Sequence, residues 1–267
     1  MKLLNGLELA EFIKERHAHQ VRALSSQKIT PKLAIIRTNS DKVVDVYMRL
    51  KTSYGEDVGA IVEVHDITQA QAKSTLKQLN QDDTVHGIIV QLPLPDISQT
   101  NDILNAVNPQ KDVDGLSEKT AFDAATPTAI IWLLNGYNVE LKAKKIVIVG
   151  QGRLVGKPLF EMLKKSNFDV TGADKATPNL DELVHGADVV ISATGQAGLI
   201  TSSMLKDGAV VVDAGTSTDS NGVVGDIADD ARQRDDLTIT PENGGVGPLT
   251  VCALFENVIR AAENAKN

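Results

Sequence analysis

The chain has 267 residues, a formal net charge of −8, and only 3% aromatic residues. An acidic chain with no basic cluster and so few rings for stacking bases excludes nucleic acid as a partner. No run of about twenty apolar residues occurs and Met1–Lys14 shows no signal-peptide pattern, so no membrane association is expected and a cytoplasmic location is.

The elements follow in order. Residues 7–24 place Leu9, Phe12 and Ile13 at helical spacing among charged residues. Lys32–Arg37 reads as a buried strand, residues 43–58 as a helix, 60–65 as a strand and 68–79 as a helix. Gly87–Leu92 supplies another strand, and the rigid Leu92-Pro93-Leu94-Pro95 ends it. Alternating strands and helices indicate βα units and a mostly parallel sheet. Thr126-Pro127 opens a helix that Gly136-Tyr137-Asn138 breaks. A second series follows: a strand at 145–149, a glycine loop, a helix at 156–165, and strands at 168–171, 188–193, 209–213 and 237–239. A helix over 249–262 closes the chain and is expected to return to the first domain.

Three groups of residues carry the chemistry. Gln91 follows a buried strand and so projects from the strand's carboxyl end, the edge where open α/β sheets bind ligands. With a carboxylate about twenty residues on, in Lys111-Asp112-Val113-Asp114-Gly115, it suits a polar heterocycle held by paired hydrogen bonds. Tyr47 and Lys51 stand four apart on one helix face, and a partly desolvated lysine can act as a base near neutral pH. Gly150, Gln151, Gly152, Arg153, Val155 and Gly156 form a G-x-G-x-x-x-G turn between strand and helix, the pattern of a pyrophosphate cradle. Thr194-Gly195 and Thr216 end later strands with small residues, as a site for a flat ring needs. Asp174 lies where an acid binds the ribose 2′-hydroxyl and favours NAD, although Lys175 and Arg153 offer a phosphate partner instead. Cys252 is the lone cysteine, and His17, His19, His65, His86 and His185 form no ligand-spaced cluster, so no metal site is expected.

Together these motifs resemble the bifunctional methylenetetrahydrofolate dehydrogenase/methenyltetrahydrofolate cyclohydrolase family over nearly the whole chain. The resemblance runs through Leu4-Asn5-Gly6, Tyr47 with Lys51, Val90–Pro95, Lys111–Gly115, Thr126-Pro127, Val155–Pro158, Val224–Asp226 and Gly244–Thr250. It implies an α/β protein of two domains with a cleft between them. One is an N-terminal catalytic domain, residues 1–120 joined by 249–267; the other is a Rossmann-type dinucleotide-binding domain, residues 121–248. It further implies that Lys51 transfers protons, Tyr47 stacks on the folate, Gln91 tunes Lys51 and Asp114 binds the pterin-like ring. Val90, Leu92, Gly244, Gly245, Gly247 and Pro248 would complete the folate site. The resemblance implies NADP as cosubstrate, a tetrahydrofolate derivative as substrate, and a homodimer.

Departures from the family pattern fall in both halves: Val44 and Ser53 near Tyr47 and Lys51, Ala124-Ala125 before Thr126, and Glu242-Asn243 before Gly244 accompany those in the dinucleotide turn. Gly150-Gln151-Gly152 stands where the family has G-R-S or G-A-S, and Ala173-Asp174-Lys175-Ala176-Thr177 replaces C-H-S-x-T. These leave NAD open as the cosubstrate, and also a cyclohydrolase with weakened or lost dehydrogenase activity. A non-catalytic folate or nucleotide regulator is the alternative outside enzymes.

Overall fold

The structure is a computed structural model that describes residues 1–39, 42–219 and 222–265. In chain order the first elements are β1 (Lys2–Leu3), α1 (Gly6–Ser25), β2 (Lys32–Arg37), α2 (Lys42–Val58), β3 (Ile61–Asp66), α3 (Ala72–Gln81), β4 (Gly87–Val90), α4 (Thr100–Leu104) and α5 (Ala125–Gly136). Then come β5 (Ile146–Val149), α6 (Gly156–Lys165), β6 (Val170–Ala173), α7 (Leu180–His185), β7 (Val189–Ser192), β8 (Val210–Asp213), β9 (Ser217–Asp219), β10 (Gly222–Val224), α8 (Asp229–Arg232), β11 (Thr238–Ile239) and α9 (Val246–Asn264). They form two compact units, one of residues 11–125 with the chain from Val251 onward, the other of residues 1–10 with 126–250.

The first unit is built on a parallel three-stranded sheet in the order β3-β2-β4. β2 and β4 are apolar on both faces because both faces are covered. Ala34, Ile36, Ile88 and Val90 pack with Leu76, Leu79, Ile103 and Leu104, while Leu33, Ile35 and Ile89 are equally buried on the opposite side. Each of the Leu, Ile and Val side chains contributes roughly 1.5–3 kcal/mol of transfer free energy. A single bridge, Ile88 to Asp112, ties the Lys111–Gly115 segment to β4 at its free edge.

The second unit carries a six-stranded sheet, β1-β11-β8-β7-β5-β6, parallel throughout. β6 lies on one side of β5 and β7 on the other, so the winding reverses between β5 and β7. In an open α/β sheet that reversal opens the ligand crevice at the strands' carboxyl ends.

Several elements differ from the expectation. The strand expected at 168–171 is Val170–Ala173, because register with β5 pairs Val149 with Ala173. The helix expected from Thr68 begins as a 3-10 turn, Gln69–Gln71, closed by a Thr68–Gln71 capping box. β1, the β9–β10 hairpin and α8 are additional. β1 places the first ten residues with the dinucleotide-type unit, since Lys2 and Leu3 pair with Thr238 and Ile239.

Candidate active site

α2 presents Val44, Met48 and Val58 to the core, and Lys51 falls on the same helical stripe, between Met48 and Gly55. The lysine is therefore drawn inward. Its Nζ donates to Gln91 Oε1 at 2.9 Å. Gln91 is fixed from both ends: its backbone N–H donates to Ile36 O and its side-chain Nε2 to Leu92 O. Burial pushes the Lys51 ammonium below its ordinary pKa, opposed by the Asp114 carboxylate. Burial likewise pushes the Asp114 carboxyl up, against the pull of Lys51 and with a further push from Asp112. An amine and a carboxyl shifted toward neutrality beside each other mark a site poised for proton transfer.

The two aspartates of Lys111–Gly115 divide the labour. Asp112, 3% exposed, accepts from Ser117 N at 2.9 Å and Ser117 Oγ at 2.7 Å, holding the turn. Asp114 accepts no hydrogen bond among the described residues, so both its oxygens remain available to a ligand. Sequence reasoning named Asp114 and passed over Asp112, whose role depends on its bridge to Ile88 and its bonds to Ser117. Tyr47 lies one turn before Lys51 and is half-buried, and Val90 and Leu92 flank Gln91. The structure thus assembles Lys51, Gln91 and Asp114 electrostatically, with Tyr47 on the adjoining turn of the same helix.

In the other unit, Gly150 takes φ +95°, and a Cβ there would lie 2.5 Å from Ala193 O. A Cβ at Gly156 would lie 1.7 Å from Gly150 O, so only glycine lets the turn close onto the start of α6. The N-terminus of α6 has no side-chain cap, and residues 150–159 hold Arg153 and Lys157 with no acid. That chemistry fits a dinucleotide pyrophosphate. Gln151 turns back from the loop: its Nε2 donates to Ile148 O at 3.2 Å, and its amide lies against Gly172. Gly152, Arg153 and Lys175 are exposed, and Val155 precedes α6.

Asp174 is exposed one residue past β6, where Oδ1 accepts Ala176 N at 2.8 Å. One oxygen thus organises its own turn. Thr194 Oγ1 accepts Gln196 N, and Gly195 approaches the Thr216 carbonyl, so the β7 and β8 loops touch. Gly244 O accepts from Gly6 N and Leu7 N, while Gly247 and Pro248 lie in the first turn of α9. Gly244, Gly245, Gly247 and Pro248 belong to the second unit, not to the one carrying Lys51. Among the described residues no group of three or more His, Cys, Asp or Glu could hold a metal, and no helix is long and apolar enough to cross a membrane.

A parallel α/β unit with a partly buried lysine–amide–carboxylate cluster and a glycine-turn unit suited to a dinucleotide define the class: a two-unit α/β protein with a proton-transfer site. Residues 4–114 match the catalytic domain of tetrahydrofolate dehydrogenase/cyclohydrolase, and residues 124–266 match its NAD(P)-binding domain. The bifunctional protein FolD of Lactobacillus acidophilus is 37% identical over 272 residues, covering 97% of this chain and 96% of that protein. The crystal structure of bifunctional FolD from Campylobacter jejuni superposes with a TM-score of 0.93 at 34% identity, covering 99% of each chain. The Trypanosoma brucei dehydrogenase-cyclohydrolase, solved with NADP cofactor and inhibitor, gives 0.89 at 30% identity, covering 99% of this chain and 98% of that one. The chain belongs to the tetrahydrofolate dehydrogenase/cyclohydrolase family.

Proposed function

We propose that this chain oxidises methylenetetrahydrofolate to methenyltetrahydrofolate with a nicotinamide dinucleotide and hydrolyses the product to formyltetrahydrofolate. It is an oxidoreductase and a hydrolase of one-carbon metabolism, as its family membership supports. The observation that carries the reading is the 2.9 Å bond from Lys51 Nζ to Gln91 Oε1, beside Asp114.

Asp114 accepts two N–H bonds from the exocyclic amine and adjacent ring nitrogen of the pterin, a bidentate contact. Tyr47 stacks on the folate and orients it, with Val90 and Leu92 flanking Gln91; the family resemblance adds Gly244, Gly245, Gly247 and Pro248 as folate-binding residues. The dinucleotide supplies the hydride acceptor; Gly150, Gly152, Arg153, Val155 and Gly156 hold its pyrophosphate, and Thr194, Gly195 and Thr216 its nicotinamide end. Hydride loss from the bridging carbon leaves a cation spread over two nitrogens, so aligned placement matters more than a strong base. Water then adds to that carbon. Lys51, as the neutral amine, takes a proton from the added oxygen and returns it to the departing nitrogen as the ring opens, and one proton is released overall. Gln91 keeps Nζ aimed at that path.

The folate domain is the unit of residues 11–125 with the chain from Val251 onward, and the dinucleotide domain is residues 126–250 with the first ten residues. Asp174 receives the ribose 2′-hydroxyl through its second oxygen, with Lys175 and Gln151 at the same edge, which favours NAD over NADP. The enzyme works as a cytoplasmic homodimer. Lys51→Met should abolish methenyl hydrolysis while hydride transfer persists in part; the decay of methenyl absorbance in the variant at the parent's rate would refute the proton-shuttle role.

A further inference from the structure

Two buried carboxylates lace the carboxyl ends of β7 and β8, and they are balanced differently. Asp213 accepts from Gly215 N, Asp226 N and Ile227 N and pairs with Arg232 Nη2 at 2.6 Å. Asp226 is 0% exposed and pairs with no cation among the described residues. Its Oδ2 accepts from Ser192 Oγ and from Thr194 N, each at 2.7 Å. Its Oδ1 is buried without a hydrogen-bond partner among the described residues. A Cβ on Gly215 would lie 2.0 Å from that oxygen, so the carboxylate rests directly on the β8 loop. Gly225 is equally close to Asp213 Oδ2, at 2.0 Å for a built Cβ. Two glycines are thus reserved to admit two acids, and only one acid has a counter-charge.

A buried, unbalanced carboxylate is costly and persists where something offsets it. Its position identifies the offset. Thr194 and Gly195 begin the loop beside the β5–β7 reversal, where the Gly150 turn meets Ala193 O. The oxidised nicotinamide ring is cationic, and the reduced ring is neutral. We propose that Asp226 is a positioning residue that holds the Thr194–Gly195 floor and, through its unbalanced charge, favours the oxidised dinucleotide over the reduced one. This rests on the placement of the nicotinamide end given under Proposed function.

The test is the pair of dissociation constants, oxidised and reduced, measured on the full-length protein by nucleotide fluorescence and calorimetry. Asp226→Asn keeps an acceptor for Ser192 and Thr194 and removes the charge. The oxidised form should then weaken about tenfold relative to the reduced form, equivalent to about 1.4 kcal/mol. A purely structural role would weaken both forms alike, and an unchanged ratio in a variant that binds overturns the proposal. Should Asp226→Asn fail to fold, Ser192→Ala removes one donor and leaves the charge less compensated. Its preference for the oxidised form should rise at least twofold; an unchanged or reduced preference overturns the proposal. A parent protein that binds neither form would instead overturn the dinucleotide placement itself.

Discussion

Replacing Gln91 by Leu removes the oxygen that Lys51 Nζ donates to at 2.9 Å and leaves an apolar side chain of similar size. A hydrogen bond to a charged partner contributes about 1.5–3 kcal/mol. It favours the ammonium, so its loss lowers the Lys51 pKa beyond the fall that burial already causes, and Asp114 alone still pulls upward. At about 1.36 kcal/mol per unit, the further fall is about 1–2 units. Hydrolysis needs the neutral amine, so its rate climbs with pH through that pKa, and the acid limb of the profile should move down by the same amount. The assay is the disappearance of methenyltetrahydrofolate absorbance across pH, corrected for uncatalysed hydrolysis. The maximal rate should fall as well, because Nζ is no longer aimed. An acid limb that stays in place or moves up would refute both the direction of the shift and the assignment of the limb to Lys51.

Two further outcomes follow from particular contacts. If Asp174 receives the ribose hydroxyl, Asp174→Ser should raise the kcat/KM ratio of NADP over NAD; initial rates with both nucleotides decide it, and an unchanged ratio moves selectivity elsewhere. Tyr54→Phe removes the hydroxyl that meets His17 Nδ1 at 2.9 Å in a site where His17 is 0% exposed. The unpaired nitrogen should cost about 1–3 kcal/mol, read as a lower denaturation midpoint with an unchanged m-value. No loss of stability would mean that the ring nitrogen finds another partner.

Most elements were legible because their signal is local. β2, β4, β5 and β7 are apolar runs bounded by turn residues, which is how strands buried on both faces read. β1 was not legible: two residues have no period, and their strand character comes from β11, near the other end of the chain. The start of β6 was misplaced for the same reason, since register with β5 selects the pairing residues rather than the run of apolar side chains. At the site, Gly150 and Gly156 were recognisable from spacing, but the backward turn of Gln151 onto Gly172 depends on β6 lying alongside β5. Asp226 was visible only as part of Val224-Gly225-Asp226, with nothing local to show that it is buried or that it holds Thr194.

Amino-acid order alone determined which functional groups exist and at what spacing: the amine and phenol one helical turn apart, the amide at a strand end, the aspartates of Lys111–Gly115 and the glycine turn. Tertiary structure decided what those groups can do. It set Lys51 against Gln91, committed Asp112 to a turn, left Asp114 without a hydrogen-bond donor among the described residues, and gave Asp213 but not Asp226 a cationic partner among them. The physical reason is that proton affinity and hydrogen-bond allocation depend on burial and on partners distant in sequence, quantities that exist only once the chain has folded.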